Sequence, residues 1–241
     1  MSDTSLERGM PLLDHLDELR RRLTRAAVAV VAASILALVF SDWIFDLLAA
    51  PYEEAVPDGD LAFFRPTEAF SITMRVALFG GVIIASPIVL YQAWRFVAPG
   101  LTKREKRWVV PIAGVFTLLF LAGVLLGYWS LKRGLVFLID FGPDELEPVI
   151  GGGFYLSFAM RFILAFGIAF EFPVFIFAAA ASGALTSARL RTGRRWAVVI
   201  ILVMAALITP SGDPLTLMLL STPLYVLYEL TILAVRFILR R

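Results

Sequence analysis

The stretch LAFGIAFEFPVFIF, residues 164–177, is apolar except for one carboxylate, Glu171, which precedes Pro173 by two residues. Such a segment belongs either in a buried core or in lipid. The apolar segment around it runs over residues 154–181, and about 20 residues of helix are enough to cross the ~30 Å hydrocarbon layer of a bilayer. The stretch therefore predicts a transmembrane helix that carries a carboxyl group deep inside it.

The composition of the whole chain supports lipid as the solvent. Of its 241 residues, 59% are hydrophobic and 17% are charged, and the mean hydropathy is +0.82. A soluble domain of this length could not bury so much apolar surface. The polar opening, MSDTSLERGM, is not expected to be a cleavable signal peptide.

The residue types present also exclude several kinds of site. The chain has no cysteine and a single histidine, His15, so disulfides, histidine or thiolate metal clusters and a catalytic triad are excluded. No nucleotide-binding or hydrolase motif occurs. We therefore expect a protein that is not an enzyme, needs no cofactor or metal, and binds no nucleic acid.

Six apolar segments predict an all-α polytopic membrane protein with six transmembrane helices. The segments cover residues 25–41, 70–97, 108–131, 154–181, 196–209 and 215–235. The fifth is short, since its 14 residues reach only about 21 Å as a helix. With the sixth it predicts a hairpin that thins the bilayer or admits water into one leaflet. Ahead of the first span, leucines on one face predict an amphipathic helix over residues 11–23.

The distribution of positive charge predicts the orientation. The flanks on the side of the two termini hold 17 of the 22 lysines and arginines, and the opposite flanks hold 5. The positive-inside rule then places both termini in the cytoplasm. In the first outer loop, helical spacing predicts an interfacial helix over residues 42–56, with Trp43 at the level of the headgroups.

Two acids on the cytoplasmic side are candidate binding residues. Glu18 lies in PLLDHLDELRRRL, where it can reach Arg22, and Glu105 lies in PGLTKREKRW among four basic residues. Helix geometry alone favours a surface anchor for the first motif. The second alone favours a charge run that faces lipid headgroups.

The acids and arginines inside the spans are further candidates. Ionised Glu171 would cost about 2.5–3.5 kcal/mol at mid-helix, so we expect it to be protonated, to face a water-filled cavity, or to hydrogen-bond a neighbouring span. Pro173 is expected to kink the helix. Asp213 is expected to cap the sixth helix, and Glu229 to pair with Arg236 or another basic flank. Outside these acids, Arg75 and Arg161 can snorkel to the outer face.

Four long motifs resemble one family. They are HLDELRRRL at 15–23, SPIVLYQAWRFVAPGLTKREKR at 86–107, LSFAMRFILAFGIAFEFPV at 156–174, and ITPSGDP with PLYVLYE at 208–229. In this order, and over nearly the whole chain, they resemble the TatC family of twin-arginine translocase proteins. The resemblance implies six helices that form a concave, glove-like wall.

The resemblance also implies a function and partners. It implies a receptor for signal peptides that carry a consecutive arginine pair, and a core component that exports folded proteins across the cytoplasmic membrane. The proton-motive force drives the export. The partners implied are single-span TatA and TatB subunits in a hetero-oligomer of several copies, together with membrane lipids.

The residues that would carry this function follow from the motifs. Glu18 and Glu105 match the family's acids that recognise the arginine pair. Glu171 matches the glutamate of its FExP motif, an intramembrane polar contact. The remaining matches are to the signal-peptide surface, at Arg20, Leu23 and Phe96, and to structural or partner contacts, at Pro51 and Asp213. Pro51 matches the proline that ends the first outer-loop helix in the family. Leu217 departs from the family, which often has glutamine there, so a partner contact through that amide is in doubt.

Three functions compete on the sequence. A receptor predicts an open concave surface with Glu18 and Glu105 close together. A proton-coupled small-solute transporter predicts Glu171 in a closed pathway. A scaffold that only clusters partner helices predicts no dependence on the two acids.

Overall fold

The structure is a computed structural model that describes residues 12–56, 59, 61–62, 64–97, 109–141, 150–181, 183, 185–209 and 213–239. Nine α-helices lie within these ranges. They are α1 (Leu12–Val39), α2 (Ser41–Ala55), α3 (Glu68–Val97), α4 (Val109–Asp140), α5 (Gly152–Ala169), α6 (Phe172–Ala181), α7 (Ser187–Thr192), α8 (Arg194–Ile208) and α9 (Pro214–Ile238). Strand-like pairing in the described residues is limited to one isolated bridge between Ala62 and Gly151.

Five helical segments of the described chain are long and apolar enough to cross a membrane. They are Leu16–Val39, Glu68–Phe96, Ala113–Asp140, Gly152–Ala181 and Pro214–Ile238. This confirms the predicted class of an all-α polytopic membrane protein. The 15 residues of α8 lie where the short fifth span is expected, and at 1.5 Å per residue they extend about 22 Å.

The first helix is longer than expected. The sequence separates an amphipathic helix at residues 11–23 from a span at residues 25–41, whereas α1 runs without a break through both. The change at residue 24 is one of polarity only, because no glycine or proline interrupts the 28 residues of α1. A change in polarity moves a helix from water into lipid but does not end it.

The segment expected as one kinked span at residues 154–181 forms one candidate span, Gly152–Ala181, whose helix is interrupted inside it. α5 ends at Ala169, α6 begins at Phe172, and the turn between them contains Glu171. Pro173 causes this break, since it has no N–H to donate to the carbonyl four residues earlier and its ring clashes there. The turn is closed by Glu171 N–H donating to the Ile168 carbonyl at 3.1 Å.

Glycines bring α4 and α5 into backbone contact. A Cβ placed on Gly123 would lie 2.6 Å from the carbonyl oxygen of Phe166, and one on Gly127 would lie 3.1 Å from the Cα of Ile163. Residue numbers that increase along α4 face residue numbers that decrease along α5, so the two helices are antiparallel. Small residues that let backbones approach are the common device for packing helices in lipid, where no hydrophobic effect draws them together.

The pair α1 and α3 packs in the same way. A Cβ on Gly81 would lie 2.6 Å from the Cα of Ser34, and one on Gly80 would lie 3.1 Å from the Cβ of Ala37. These helices are therefore antiparallel as well. The rest of α1 is exposed, with apolar side chains such as Val31 outward. Its contact with the body of the protein is mainly through α3.

Polar contacts fix the two ends of the bundle. At the end where α1 begins and α9 finishes, here called the terminal end, Tyr228 Oη donates to the Leu190 carbonyl at 2.7 Å. At the opposite, distal end, Tyr155 Oη donates to the Leu48 carbonyl at 2.8 Å and so holds α2 against α5.

We expect Gly123→Ala to lower the free energy of unfolding by about 1–3 kcal/mol, because the added methyl group has no room against the backbone of α5. Thermal unfolding in detergent, followed by size-exclusion chromatography, measures the change.

The matched control is Gly114→Ala, on the same helix, where an added Cβ meets nothing within 4 Å. Alanine is the better helix former by up to about 1 kcal/mol, so this variant should be neutral or slightly stabilised. Equal midpoints for the two variants would contradict the close α4–α5 contact.

Candidate functional site

The first candidate acid, Glu18, lies on α1 at the terminal end. The Arg22 guanidinium, one turn later, reaches it: Nε donates to Glu18 Oε1 at 2.9 Å, and Nη2 contacts the same oxygen. The side chains of Arg22 and Glu18 are only 12% and 19% exposed. A carboxylate that water only partly reaches attracts a guanidinium more strongly than a fully solvated one does.

The other residues predicted to contact a signal peptide lie at the same end. Arg20 and Leu23 are exposed on α1. Phe96 is half-buried near the end of α3, which lies beside the start of α1 because the two helices are antiparallel. Glu105 falls outside the described residues, so its predicted proximity to Glu18 remains a prediction.

Glu171 occupies the turn between α5 and α6 and is 5% exposed. Both of its carboxyl oxygens are buried and have no hydrogen-bond partner within the described part of the chain. Of the three alternatives open on the sequence, a hydrogen bond to a neighbouring span is therefore not observed there. A buried carboxyl without a partner costs free energy in the isolated protein.

Asp213 caps α9. Its Oδ1 accepts the N–H of Thr216 at 2.8 Å, and its Oδ2 accepts the Thr216 hydroxyl at 2.5 Å. This is the N-cap role that the sequence favours, and the side chain is 7% exposed.

Pro51 and Leu217 both contribute to packing. Pro51 is buried inside α2, which continues to Ala55, whereas the resemblance implies a proline at the end of that helix. Leu217, at the position where the family often has glutamine, packs half-buried against the core.

Two further polar contacts join elements that are distant in the sequence. Glu229 is expected to pair with Arg236 or another basic flank; it pairs with Arg194 at 2.6 Å, because α8 and α9 are neighbours in the fold. At the distal end, Glu68 accepts the N–H of Gly153 at 3.1 Å. Its position in the first turn of α3 could have indicated a capping role, but its partner lies 85 residues away.

Comparison with known proteins places this arrangement in a family. The model of the Sec-independent protein translocase protein (TatC) family matches residues 14–223. The chain belongs to the TatC family. That match includes α1 from Asp14 onward, the α5–α6 break at Glu171 and the Asp213 cap.

Individual members of the TatC family give the same result. The TatC protein of Carboxydothermus hydrogenoformans is 34% identical over 233 residues, which cover 96% of this chain and 95% of that protein. The Frankia casuarinae TatC protein is 37% identical over 93% of this chain, and this chain spans 65% of its length. The crystal structure of a twin-arginine translocase receptor, TatC, in DDM superposes with a TM-score of 0.79 at 36% identity, covering 92% of this chain and 99% of that one.

We expect Glu171→Leu to raise the free energy of unfolding of the isolated protein by about 1–3 kcal/mol, because it removes a buried polar group that has no partner within the described residues. Thermal unfolding midpoints of the purified protein in detergent test this.

Glu229→Leu is the matched comparison, because it makes the same change at a carboxylate that has two partners, Arg194 and the Tyr225 hydroxyl. Its pair is partly exposed, so a loss of about 0.5–1 kcal/mol is expected. A midpoint for Glu171→Leu that falls as far as that of Glu229→Leu would show that the Glu171 carboxyl is satisfied.

Proposed function

We propose that this chain is the signal-peptide receptor and core component of a twin-arginine translocase. In this proposal, Glu18 and Glu105 receive the consecutive arginines of a signal peptide at the cytoplasmic surface. The folded cargo is then exported with TatA- and TatB-type subunits, driven by the proton-motive force. Membership of the TatC family supports the proposal at the level of a translocase component.

The contact between Glu18 and Arg22 carries the site assignment. It places a guanidinium against a half-buried carboxylate with Nε at 2.9 Å, which is the geometry that an incoming arginine needs. Because Arg22 already contacts this carboxylate, a signal peptide has to share or displace its guanidinium. A single arginine would be a weak competitor, and a pair that also engages Glu105 would gain a second charge-assisted contact.

The same chemistry explains the preference for arginine over lysine. A guanidinium presents donors in a planar fork that fits a carboxylate, whereas an ammonium is a more strongly hydrated point charge. The exposed arginines beside Glu18, including Arg20 and Arg21, repel cations that cannot make the paired contact. Leu23 and Phe96 are proposed to contact apolar residues of the signal peptide.

The proposed orientation puts the terminal end in the cytoplasm. It is supported by the excess of lysine and arginine flanking that end, 17 of the chain's 22. The protein is then a multi-pass component of the inner membrane with both termini cytoplasmic. The arginine-binding acids consequently face the compartment in which folded cargo is made.

Within the membrane, Glu171 is proposed as a polar contact for the signal peptide or for a partner helix. The absence of a hydrogen-bond partner within the described residues supports this role, since docking of a polar group there would relieve the cost of burial. The exposed apolar face of α1 supports a hetero-oligomer with single-span subunits. Pro51 and Asp213 contribute by holding α2 and the start of α9.

A signal peptide with an arginine pair should cross-link to the purified protein in lipid, and a peptide with two lysines in its place should cross-link about ten times less, because each ammonium loses the paired contact of a guanidinium. Replacing both acids, in Glu18→Ala with Glu105→Ala, should abolish the difference between the two peptides. Photo-cross-linking yields at a series of peptide concentrations measure both effects.

The control is Asp17→Ala, which removes the same charge from the neighbouring, exposed position of α1. It should leave the preference for arginine intact. Full binding and full preference in the doubly substituted protein would rule out these acids and leave a scaffold role.

The second candidate is a proton-coupled transporter of small solutes, which the buried carboxyl of Glu171, without a partner in the described residues, favours. It predicts proton flux through liposomes that contain this chain alone, and loss of the flux in Glu171→Gln. A receptor predicts no flux from the isolated protein and export that survives Glu171→Gln better than Glu171→Leu, because glutamine keeps a polar group.

A further inference from the structure

A groove of about 620 Å³ opens at the distal end between the starts of α3 and α5. Three arginines line it: Arg65 just before α3, Arg75 two turns into α3, and Arg161 on α5. All three side chains are exposed. Arginines separated by up to 96 positions in the sequence therefore converge on one cleft at a membrane end of the bundle.

The positive charge of this groove is not neutralised by the described residues. Arg75 Nη1 donates to the neutral hydroxyl of Ser157 at 2.8 Å, and none of the three arginines forms an ion pair in the ranges that the structure describes. Among the described residues of the lining, the one acid is Glu68. Three positive charges and one negative charge leave this described lining at +2.

Both carboxyl oxygens of Glu68 accept hydrogen bonds from backbone N–H groups. One carboxyl oxygen accepts the N–H of Phe64 at 2.9 Å and the other accepts the N–H of Gly153 at 3.1 Å. It therefore holds the rim of the groove in place and does not reach the arginines as a counterion. An anion from outside the described residues would find donors already positioned by that rim.

Apolar side chains lie on the distal side of the arginines. Phe154, in the first turn of α5, and Phe158 line the groove, and Phe154 is 79% exposed. A phospholipid that fits has its phosphate at the arginines and its acyl chains running from there toward the middle of the membrane, away from Phe154. Guanidiniums bind phosphate oxygens through two parallel hydrogen bonds, and arginines near the ends of spans reach the headgroup region.

We propose that this groove binds an anionic phospholipid, with the lipid phosphate between Arg75 and Arg161 and the acyl chains directed from there toward the middle of the membrane. The net charge of +2 selects a headgroup that is negative overall, such as phosphatidylglycerol, because the ammonium of a zwitterionic headgroup is repelled. The site depends on the membrane fold and not on signal-peptide binding, so each proposal can fail alone.

The test is native mass spectrometry of the full chain in mixed micelles that contain equal amounts of phosphatidylglycerol and phosphatidylcholine. The wild type should retain phosphatidylglycerol, and Arg75→Gln with Arg161→Gln should retain about ten times less. Arg161→Gln alone, which removes no hydrogen bond observed in the described structure, should retain about three times less phosphatidylglycerol. This measurement tests the proposal even if the double variant fails to fold.

Two controls separate the groove from general charge and from structure. Lys132→Gln with Arg133→Gln removes the same charge at the distal end, outside the groove lining, and should retain the lipid. Ser157→Ala removes the hydrogen bond of Arg75 but keeps its charge, and should also retain it. Equal retention by the groove variants and the wild type would overturn the proposal, as would an equal loss in the Lys132 and Arg133 variant.

Inorganic phosphate distinguishes a lipid from a free anion. Millimolar phosphate should not displace phosphatidylglycerol, because it lacks the acyl chains that hold the lipid in the hydrocarbon layer. Displacement at that concentration would overturn the assignment to lipid, and so would equal retention of phosphatidylcholine.

Discussion

Every peptide group of this chain that enters hydrocarbon must find its hydrogen bond inside the protein. An unsatisfied N–H or C=O in lipid costs several kcal/mol, which leaves helices as the available spanning structure. The five candidate spans of the described chain are the direct result of this constraint. The helical hydrogen-bond pattern is interrupted at the turn between α5 and α6, because Pro173 has no N–H to donate. The carboxyl of Glu171 lies at that turn. The interruption of the helical hydrogen bonds and the carboxyl of Glu171 therefore occur at the same turn, where both are enclosed by protein.

How the helices pack follows from the same solvent. Lipid gives helices no hydrophobic reason to associate, so contacts depend on close approach and on a few polar groups. The glycines of α4 bring it against α5, and Gly81 brings α3 against the backbone of α1. At the bundle ends, where water and headgroups compete for polar atoms, tyrosine hydroxyls reach across to carbonyls of neighbouring helices. The apolar middle and the polar ends are therefore held by different forces.

Features that depend on local sequence were predictable. Hydropathy indicated the membrane class and the shortness of α8, and the residue pattern around Asp213 predicted its cap. Features that depend on tertiary neighbours were not. The sequence left Arg236 and the other basic flanks open as partners of Glu229, and only the fold selects Arg194 on α8. The arginine groove unites residues that no local pattern connects. The continuity of α1 could not be predicted from polarity, because a change in polarity does not end a helix. The break between α5 and α6 could not be predicted from the presence of Pro173, because a proline can either bend a helix or divide it. The motif places Glu18 at the surface, but its half-buried contact with Arg22 depends on the folded chain.

Because α1 is unbroken, its surface end and its membrane end move as one rigid body. Its close contact with α3 is at Ser34, and Glu18 lies 16 residues earlier, which is about 24 Å along the axis at 1.5 Å per residue. A tilt of α1 by about 5° around that contact would displace Glu18 by about 2 Å, on the scale of one hydrogen bond. Because α1 lies along α3 over several turns, a pull on the carboxylate at the surface would tilt both helices inside the membrane. A hinge between a surface helix and a separate span would absorb that motion, and a continuous helix transmits it.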